Sequence, residues 1–214
     1  MWDNGGVRDA GAVTWGDGSR GISGVVTQSN SLVGSQTDDE VGSNGVVALT
    51  NGNYVVSSSF WDNGGESNAG AVTWGDGSRG ISGAVIQSNS LVGSTADDFV
   101  GISASFNDFF KDGAVALTNG NYVVRSPYWD NGGVSDAGAV TWGDGTTGET
   151  IDGNHTITPQ NSLIGRTADA DLDEVVEDPV NGTVLVSFVG EGSGRVTVIP
   201  IAPDGSGEYD YCRR

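Results

Sequence analysis

Three motifs recur in the same order along this chain of 214 residues, and their spacing constrains the fold more than any other feature. The string Trp-Asp-Asn-Gly-Gly begins at Trp2, Trp61 and Trp129, so successive copies lie 59 and then 68 residues apart. Each copy is followed by Ala-Val-Thr-Trp-Gly-Asp-Gly and then by Asn-Ser-Leu-(Val/Ile)-Gly. Several motifs that recur in one order indicate tandem copies of one structural unit.

The repeats divide the chain into a single array of four parts. These are a half unit at 1–41, a full unit at 42–100, a full unit with insertions at 101–173 and a divergent half unit at 174–214. A divergent last unit is typical of repeat arrays, whose ends face solvent. Because the array begins and ends in mid-unit, we expect further repeats or other copies of the chain to complete it.

One unit is predicted to contain four short strands. Val46–Thr50 and Asn53–Ser58 form a hairpin across Asn51-Gly52, since Asn-Gly between apolar runs is a strong hairpin signal. The third and fourth strands are predicted at Ala69–Trp74 and Ile81–Val92. No apolar period of 3.6 residues predicts a helix.

These strands predict an all-β fold of tandem four-stranded antiparallel repeats. Such sheets form a β-propeller when they repeat radially, and smaller units stacked along a line form a β-solenoid. Solenoid coils span about 20 to 30 residues, so the longer unit favours propeller-like blades, with a β-solenoid as the alternative. The chain supplies fewer blades than a closed propeller has, which leaves the closure of the array open.

The order of the motifs resembles the FG-GAP repeat of integrin-α-type β-propellers. Asp98–Gly101 stands where that family opens a blade, Tyr122–Pro127 resembles its strand ending in Gly-Ala-Pro, and Gly138–Trp142 resembles a later strand. The repeats are also similar to arrays in bacterial surface proteins of the filamentous-haemagglutinin and adhesin type. The resemblance implies an extracellular or cell-surface location. The family's calcium loop is not carried over, because Leu49–Asn53 has too few carboxylates to wrap the ion.

The charge of the chain argues against two classes of partner. The formal net charge is −19, with only nine Lys and Arg residues, so the surface repels nucleic-acid phosphates and anionic membranes. No apolar run approaches the roughly 18 residues that span a bilayer. We therefore predict neither nucleic-acid binding nor membrane insertion.

Catalysis has few candidate residues. The chain has one histidine, His155, one cysteine, Cys212, and one lysine, Lys111, and they form no recognisable nucleophile, metal or phosphate motif. Acidic pairs such as Asp38-Asp39 recur in successive units, whereas a catalytic pair occurs once. The sequence predicts a protein that is not an enzyme.

The Trp-Asp-Asn-Gly corners are the candidate ligand sites. An aromatic ring beside Asp and Asn suits a sugar, but it equally suits a corner that the polar side chains close with turn hydrogen bonds. Repetition in every unit favours the structural role. The candidate residues are Trp2, Asp3, Asn4, Trp61, Asp62, Asn63, Trp129, Asp130 and Asn131. The other tryptophans, Trp15, Trp74 and Trp142, are predicted to pack between neighbouring sheets, on the face that the preceding Val occupies.

One acidic segment is the candidate metal site. Asp169, Asp171 and Asp173 alternate, and alternate carboxylates can converge on Ca²⁺. The alternative, which we favour, is a solvated loop, because the segment corresponds to the acidic linkers at 37–40 and 96–98, taken as plain turns. No other cofactor is predicted.

Three functions fit these patterns. The first is a structural or adhesive repeat module of a secreted or cell-surface bacterial protein, in contact with a host surface or a glycan. The second is a carbohydrate-binding module using the Trp corners, and the third is a self-assembling ring or fibre. The sequence leaves open the roles of the Phe106–Phe110 insert, which covers a sheet edge or forms a contact patch, and of Cys212.

Overall fold

Fourteen short β-strands make up the computed structural model, which describes residues 1–102, 113–192 and 194–200. The Phe106–Phe110 insert and Cys212 lie outside these residues. The one helical element in the described part is a single 3₁₀ turn, Gln87–Asn89. The all-β prediction is confirmed.

No helix among the residues that the structure describes has the length and apolarity needed to cross a membrane.

The strands form four separate sheets in chain order. The first contains β1 (Ala12–Thr14), β2 (Ser31–Val33) and β6 (Gly83–Ala84). The second contains β3 (Val46–Ala48), β4 (Tyr54–Ser58), β5 (Ala71–Gly75) and β7 (Ser90–Val92). The third contains β8 (Ala114–Ala116), β9 (Tyr122–Ser126), β10 (Ala139–Gly143) and β11 (Ser162–Ile164). The fourth contains β12 (Leu172–Asp178), β13 (Thr183–Phe188) and β14 (Arg195–Pro200). Neighbouring strands are antiparallel except at β6.

The predicted Asn-Gly hairpin is present, with a longer loop than two residues. The Leu49 N–H donates to the Asn53 carbonyl at 2.8 Å, and the Gly52 N–H donates to the Leu49 carbonyl at 3.0 Å. Gly52 has a φ of 91°, which an L side chain rarely adopts. Thr50 and Asn51 therefore form the turn itself, and the two flanking strands are shorter than predicted.

The predicted fourth strand, Ile81–Val92, was wrong as one strand. Gly83–Ala84 pairs in parallel with Leu32–Val33 of the preceding sheet, and only Ser90–Val92 pairs with β5. Gly83 has a φ of 106°, so the chain changes direction there. The apolar pattern showed that this segment pairs, but it could not show that one part pairs with a different sheet.

The core lies between consecutive sheets. Alternate side chains of the second sheet point in opposite directions: Val55 and Val72 belong to the cluster shared with the third sheet, whereas Val56 and Ala71 belong to the cluster shared with the first. A third cluster joins the third and fourth sheets around Phe188. The sheets therefore stack face to face, and the two middle ones are buried on both faces.

Two of the three Ala-Val-Thr-Trp strands place their tryptophan in these clusters, whereas the half-buried Trp15 belongs to none of the three. Trp74 packs on the same cluster as Val72, and Trp142 packs on the same cluster as Val140, as the alternation predicts. Both rings are half-buried.

We expect Leu91→Ala to lower the free energy of unfolding by about 2–5 kcal/mol, because Leu91 is 2% exposed and its truncation leaves a cavity between two sheets. Ile86→Ala is the control: Ile86 is 48% exposed, and its effect should stay within about 0.5 kcal/mol. Urea denaturation followed by circular dichroism measures both. Equal effects of the two substitutions would contradict the stacked core.

Candidate functional site

Each Trp-Asp-Asn-Gly corner is closed by its own polar side chains. The Asp carboxylate accepts the backbone N–H six residues further on, at 2.8 Å in every copy: Asp9 to Asp3, Asn68 to Asp62 and Asp136 to Asp130. The Asn side-chain amide donates at 2.9 Å to a glycine carbonyl about 30 residues on, from Asn4 to Gly34 and from Asn63 to Gly93. Asn131 begins the same tight turn, with reciprocal backbone bonds to Val134. The Asp and Asn of these motifs thus act as turn-forming residues.

The corner tryptophans are largely inaccessible. Trp61 and Trp129 are 4% and 3% exposed, and Trp2 is half-buried. The buried indole N–H groups of Trp61 and Trp129 have no hydrogen-bond partner among the described residues. A sugar stacks on an exposed ring face, so a ligand at these two corners would require the corner to open. The geometry fits the structural alternative better than the ligand-binding one.

A buried carboxylate ties each of the first two corners to the next. Asp39 is completely buried and accepts the N–H groups of Ser35 and Gln36 at 2.7 and 2.8 Å. Its second oxygen accepts the N–H of Asp62, the first Asp of the following corner, at 3.1 Å. The linker at 37–40 is therefore not a plain turn.

Asp98 repeats this arrangement one unit later. It is also completely buried, and it accepts the N–H groups of Ser94 and Thr95 at 2.9 Å and that of Asp130 at 2.9 Å. We call Asp39 and Asp98, with the backbone donors they hold, the junction carboxylates. Each one fixes the end of one unit to the start of the next.

Burial changes the protonation of these groups. It raises the pKa of Asp98 to about 6, although its three backbone hydrogen bonds act in the opposite direction. The pKa of Asp39 is raised for the same reason. Ionised, each carboxylate bears a desolvation cost that its backbone donors offset in part.

A carbonyl oxygen forms the second contact between units. The Gly145 carbonyl accepts the Trp74 indole N–H at 2.9 Å and the side-chain amides of Asn51 and Asn53, both at 2.8 Å. At the preceding junction the Trp15 indole donates to the Gly77 carbonyl at 3.2 Å. The Ala-Val-Thr-Trp and Gly-Asp-Gly motifs are therefore partners across a junction.

Parallel backbone pairing forms the third contact. Beyond the β2–β6 pairing, the Val92 N–H donates to the His155 carbonyl at 2.8 Å, and the Ile157 N–H donates to the Val92 carbonyl at 3.2 Å. His155 thus takes part in a junction through its main chain. Its half-buried side chain lines a cleft of about 670 Å³, together with Ile86 and Asn154.

The predicted calcium ligands are not brought together. Asp169 and Asp171 have φ angles of 51° and 55°, a left-handed conformation that Asp tolerates better than most residues. The Asp173 backbone carbonyl accepts a hydrogen bond from the Arg125 guanidinium. Among the described residues, no group of three or more His, Cys, Asp or Glu side chains is arranged to hold a metal ion. The left-handed backbone at positions 169 and 171 accounts for the presence of Asp there without a metal ion.

Sequence reasoning missed the junction carboxylates, although a signal was present. Asp39 and Asp98 share one position in the repeat, and the third copy carries Ala170 there. A Trp-Asp corner follows the first two copies and not the third. The carboxylate therefore occurs where the following unit offers a backbone N–H to bind.

Comparison with protein-family models identifies the repeat. A model described as a repeat of unknown function (DUF5650) matches residues 1–43, 48–102 and 116–174, which together exceed half of the chain. The chain belongs to this repeat family. Comparisons with curated proteins and with solved structures find no match.

The three DUF5650 matches include all three Trp corners and both junction carboxylates. The fourth sheet, which begins at Leu172, lies almost entirely beyond the last match. The family description assigns no activity.

We expect Asp98→Asn to lower the free energy of unfolding by about 1–3 kcal/mol. In the folded protein both carboxylate oxygens of Asp98 accept backbone N–H groups, whereas an Asn side chain has only one acceptor oxygen. At least one buried N–H group then lacks an acceptor, which is costly. Asp97→Asn is the matched control: Asp97 is exposed at the neighbouring position, and Asn tolerates its φ of 64°. Urea denaturation compares the two variants. A control as destabilised as Asp98→Asn would contradict the junction role.

The raised pKa of Asp98 predicts a dependence of stability on pH. The folded protein binds this proton more tightly than the unfolded chain, so the Asp98 contribution to stability grows as the pH falls through about 6. Between pH 7 and pH 5 this gain is about 1 kcal/mol, and it should be absent in Asp98→Asn. Melting temperatures of both proteins across this range provide the measurement. A wild-type loss on acidification that the variant lacks would show that the hydrogen bonds outweigh burial.

Proposed function

We propose that the chain is a non-enzymatic structural module, an array of stacked β-repeats in a secreted or cell-surface bacterial protein. The observation that carries the proposal is how the repeated polar residues are used. Three acceptors are involved: the carboxylates of Asp39 and Asp98 and the carbonyl of Gly145. Each accepts three hydrogen bonds, and at least one donor at each comes from another unit. The motifs that define the repeat thus hold the array together.

The proposal also covers the arrangement of the sheets. Four consecutive sheets of three or four strands, packed face to face, support propeller-like blades, with a solenoid-like linear stack as the alternative. The unit contains a whole sheet rather than one coil, which supports blades. Further units of the same kind, or other copies of the chain, are the proposed partners at the ends of the array.

Location and adhesion are proposed on the same basis. The net charge of −19 keeps such an array soluble and extended when units are added, and the resemblance to bacterial surface repeats supports an extracellular site. Adhesion through this surface would use many weak contacts, which tandem repeats multiply.

Carbohydrate binding is the second candidate, at a different place from the Trp corners. The cleft beside His155 is lined by neutral hydrogen-bonding groups, including Gln87, Asn154 and Thr156, with Ile86 as an apolar contact. Uncharged donors and acceptors of this kind suit the hydroxyl groups of a sugar. A loop of the insertion-bearing unit lines part of this cleft. The proposed carbohydrate site therefore occurs in one unit and is not repeated in the others.

A structural array should tolerate the loss of a whole unit. Deleting residues 42–100 joins Val41 to Gly101, which reproduces the Val41-Gly42 sequence and leaves Asp39 facing the corner at Asp130. We expect the shortened chain to fold, with an unchanged circular dichroism signal per residue and a smaller radius of gyration by X-ray scattering. Deleting 42–80 instead removes an incomplete unit and should unfold the protein.

A glycan array separates the two candidates. The structural proposal predicts that the full chain and the 42–100 deletion behave alike, without saturable binding. Saturable binding to a glycan that His155→Ala abolishes would favour the carbohydrate-binding function.

An in-phase deletion that unfolds as readily as the out-of-phase one would contradict the structural proposal.

A further inference from the structure

Strand β1 has the sequence of an inner strand but lies at the edge of its sheet. The identical Ala-Val-Thr-Trp-Gly segments of β5 and β10 pair over five residues with β4 and β9, the second strands of the Asn-Gly hairpins. In the first sheet β1 pairs with β2 on one side, and no described strand pairs with its other side. Ala12–Thr14 are accordingly half-buried, whereas their counterparts in β5 and β10 are buried.

Gly16 and Gly18, beside β1, leave two spaces that are filled by the hairpin at the equivalent glycines of the other units. At Gly75 and Gly143 an added Cβ would overlap the ring of Tyr54 or Tyr122, the first residue of the paired hairpin strand. Gly16 is their counterpart and is exposed, and the three atoms nearest to a Cβ there all belong to Ile22 rather than to a tyrosine ring.

The second space, at the glycine two residues further on, receives the turn of the hairpin. A Cβ at Gly77 would overlap the Gly52 carbonyl, and a Cβ at Gly145 would overlap the Gly120 carbonyl. The counterpart, Gly18, has no atom within 4 Å of its Cβ position.

Ile22 is exposed in the same place. Its counterpart Ile81 packs against a core cluster and donates its N–H to the Tyr54 hydroxyl at 3.1 Å. Ile22 is 54% exposed. The strand, the two glycines and this isoleucine form one surface, which we call the β1 seat.

We propose that the β1 seat binds a β-hairpin of the repeat's own Asn-Gly-Asn-Tyr type that lies outside residues 1–214. The hairpin would extend the first sheet at its open edge, place its Tyr ring on Gly16 and its turn carbonyl on Gly18. The same interface occurs twice within the chain, at β4–β5 and β9–β10, and strand addition at an open edge is a general mode of peptide binding. Residues 44–58 carry no charge, so their approach is not repelled by this acidic chain.

This inference rests on the hairpin contacts and goes beyond the structural role, which does not depend on it. The probe is a synthetic peptide of residues 44–58, closed through its ends so that the hairpin is preformed, since an isolated hairpin is marginally stable. The ends are close in the fold, because the Asn44 N–H donates to the Ser57 carbonyl at 3.3 Å. Fluorescence anisotropy of the labelled peptide against the full chain measures binding.

We expect saturable one-to-one binding that Gly18→Ala weakens by at least about tenfold. The substitution adds a methyl group to open space in the free protein, but places it where the bound hairpin puts a carbonyl oxygen. Gly133→Ala is the matched control, since Gly133 is also exposed and has open space at its Cβ position. A peptide carrying Tyr54→Ala should bind as weakly as the Gly18→Ala protein binds the original peptide.

Three results would overturn the proposal. One is the absence of saturable binding by the closed peptide, and another is binding that Gly18→Ala leaves intact while circular dichroism reports a folded variant. The third is dimerisation of the protein alone, seen by light scattering and lost in Gly18→Ala, since the seat would then hold a second copy of the chain. Each of these leaves the deletion test of the structural function unaffected.

Discussion

The carboxylates of Asp39 and Asp98 join units that would otherwise share only apolar contacts. Each is completely buried and accepts two N–H groups from its own unit and one from the next corner. A buried donor without an acceptor costs about 1–3 kcal/mol, so sliding one unit against the next has a cost of this order, because the N–H of Asp62 or Asp130 loses its acceptor. The apolar clusters supply non-directional attraction between sheets, whereas these carboxylates set the position of one sheet relative to the next. The parallel pairing at β6 and the bonds to Gly145 follow once that position is set.

The end of the array shows how the junction is replaced when no further corner follows. Ala170 takes the place of the junction carboxylate, and the Arg166 N–H, counterpart of the N–H groups that Asp39 and Asp98 hold, donates instead to Glu191. The Thr118 hydroxyl and N–H both donate to Glu177, which covers the third unit's hairpin. The fourth sheet thus satisfies the same groups of the third unit with side chains of its own. The indole N–H of Trp142 remains buried without a partner in the described part of the chain, because the Gly-Asp-Gly turn that serves Trp15 and Trp74 has no fourth copy.

Glycine has a second role here besides turn formation. At Gly75 and Gly77 the missing side chain leaves room for a tyrosine ring and a carbonyl oxygen of the adjacent hairpin, and at Gly80 it leaves room for Trp15 of the preceding unit. The abundance of glycine in the repeat therefore reflects close packing between strands and between units as well as tight turns. Several motif positions meet equivalent partners at successive junctions, as Trp15 meets Gly77 and Trp74 meets Gly145.

The sequence by itself determined the tandem unit, the all-β class, the Asn-Gly hairpins and the faces of the Trp strands, because these depend on local turn chemistry and on a period of two along each strand. It could not assign Gly83–Ala84 to the preceding sheet, since an apolar run specifies burial and not the neighbour. Asp39 and Asp98 looked like ordinary turn residues for a similar reason: an acidic pair such as Asp97-Asp98 is exposed at one position and buried at the next. Only the tertiary structure decided which carboxylate turns inward, because that depends on a backbone N–H more than 20 residues away in the next unit.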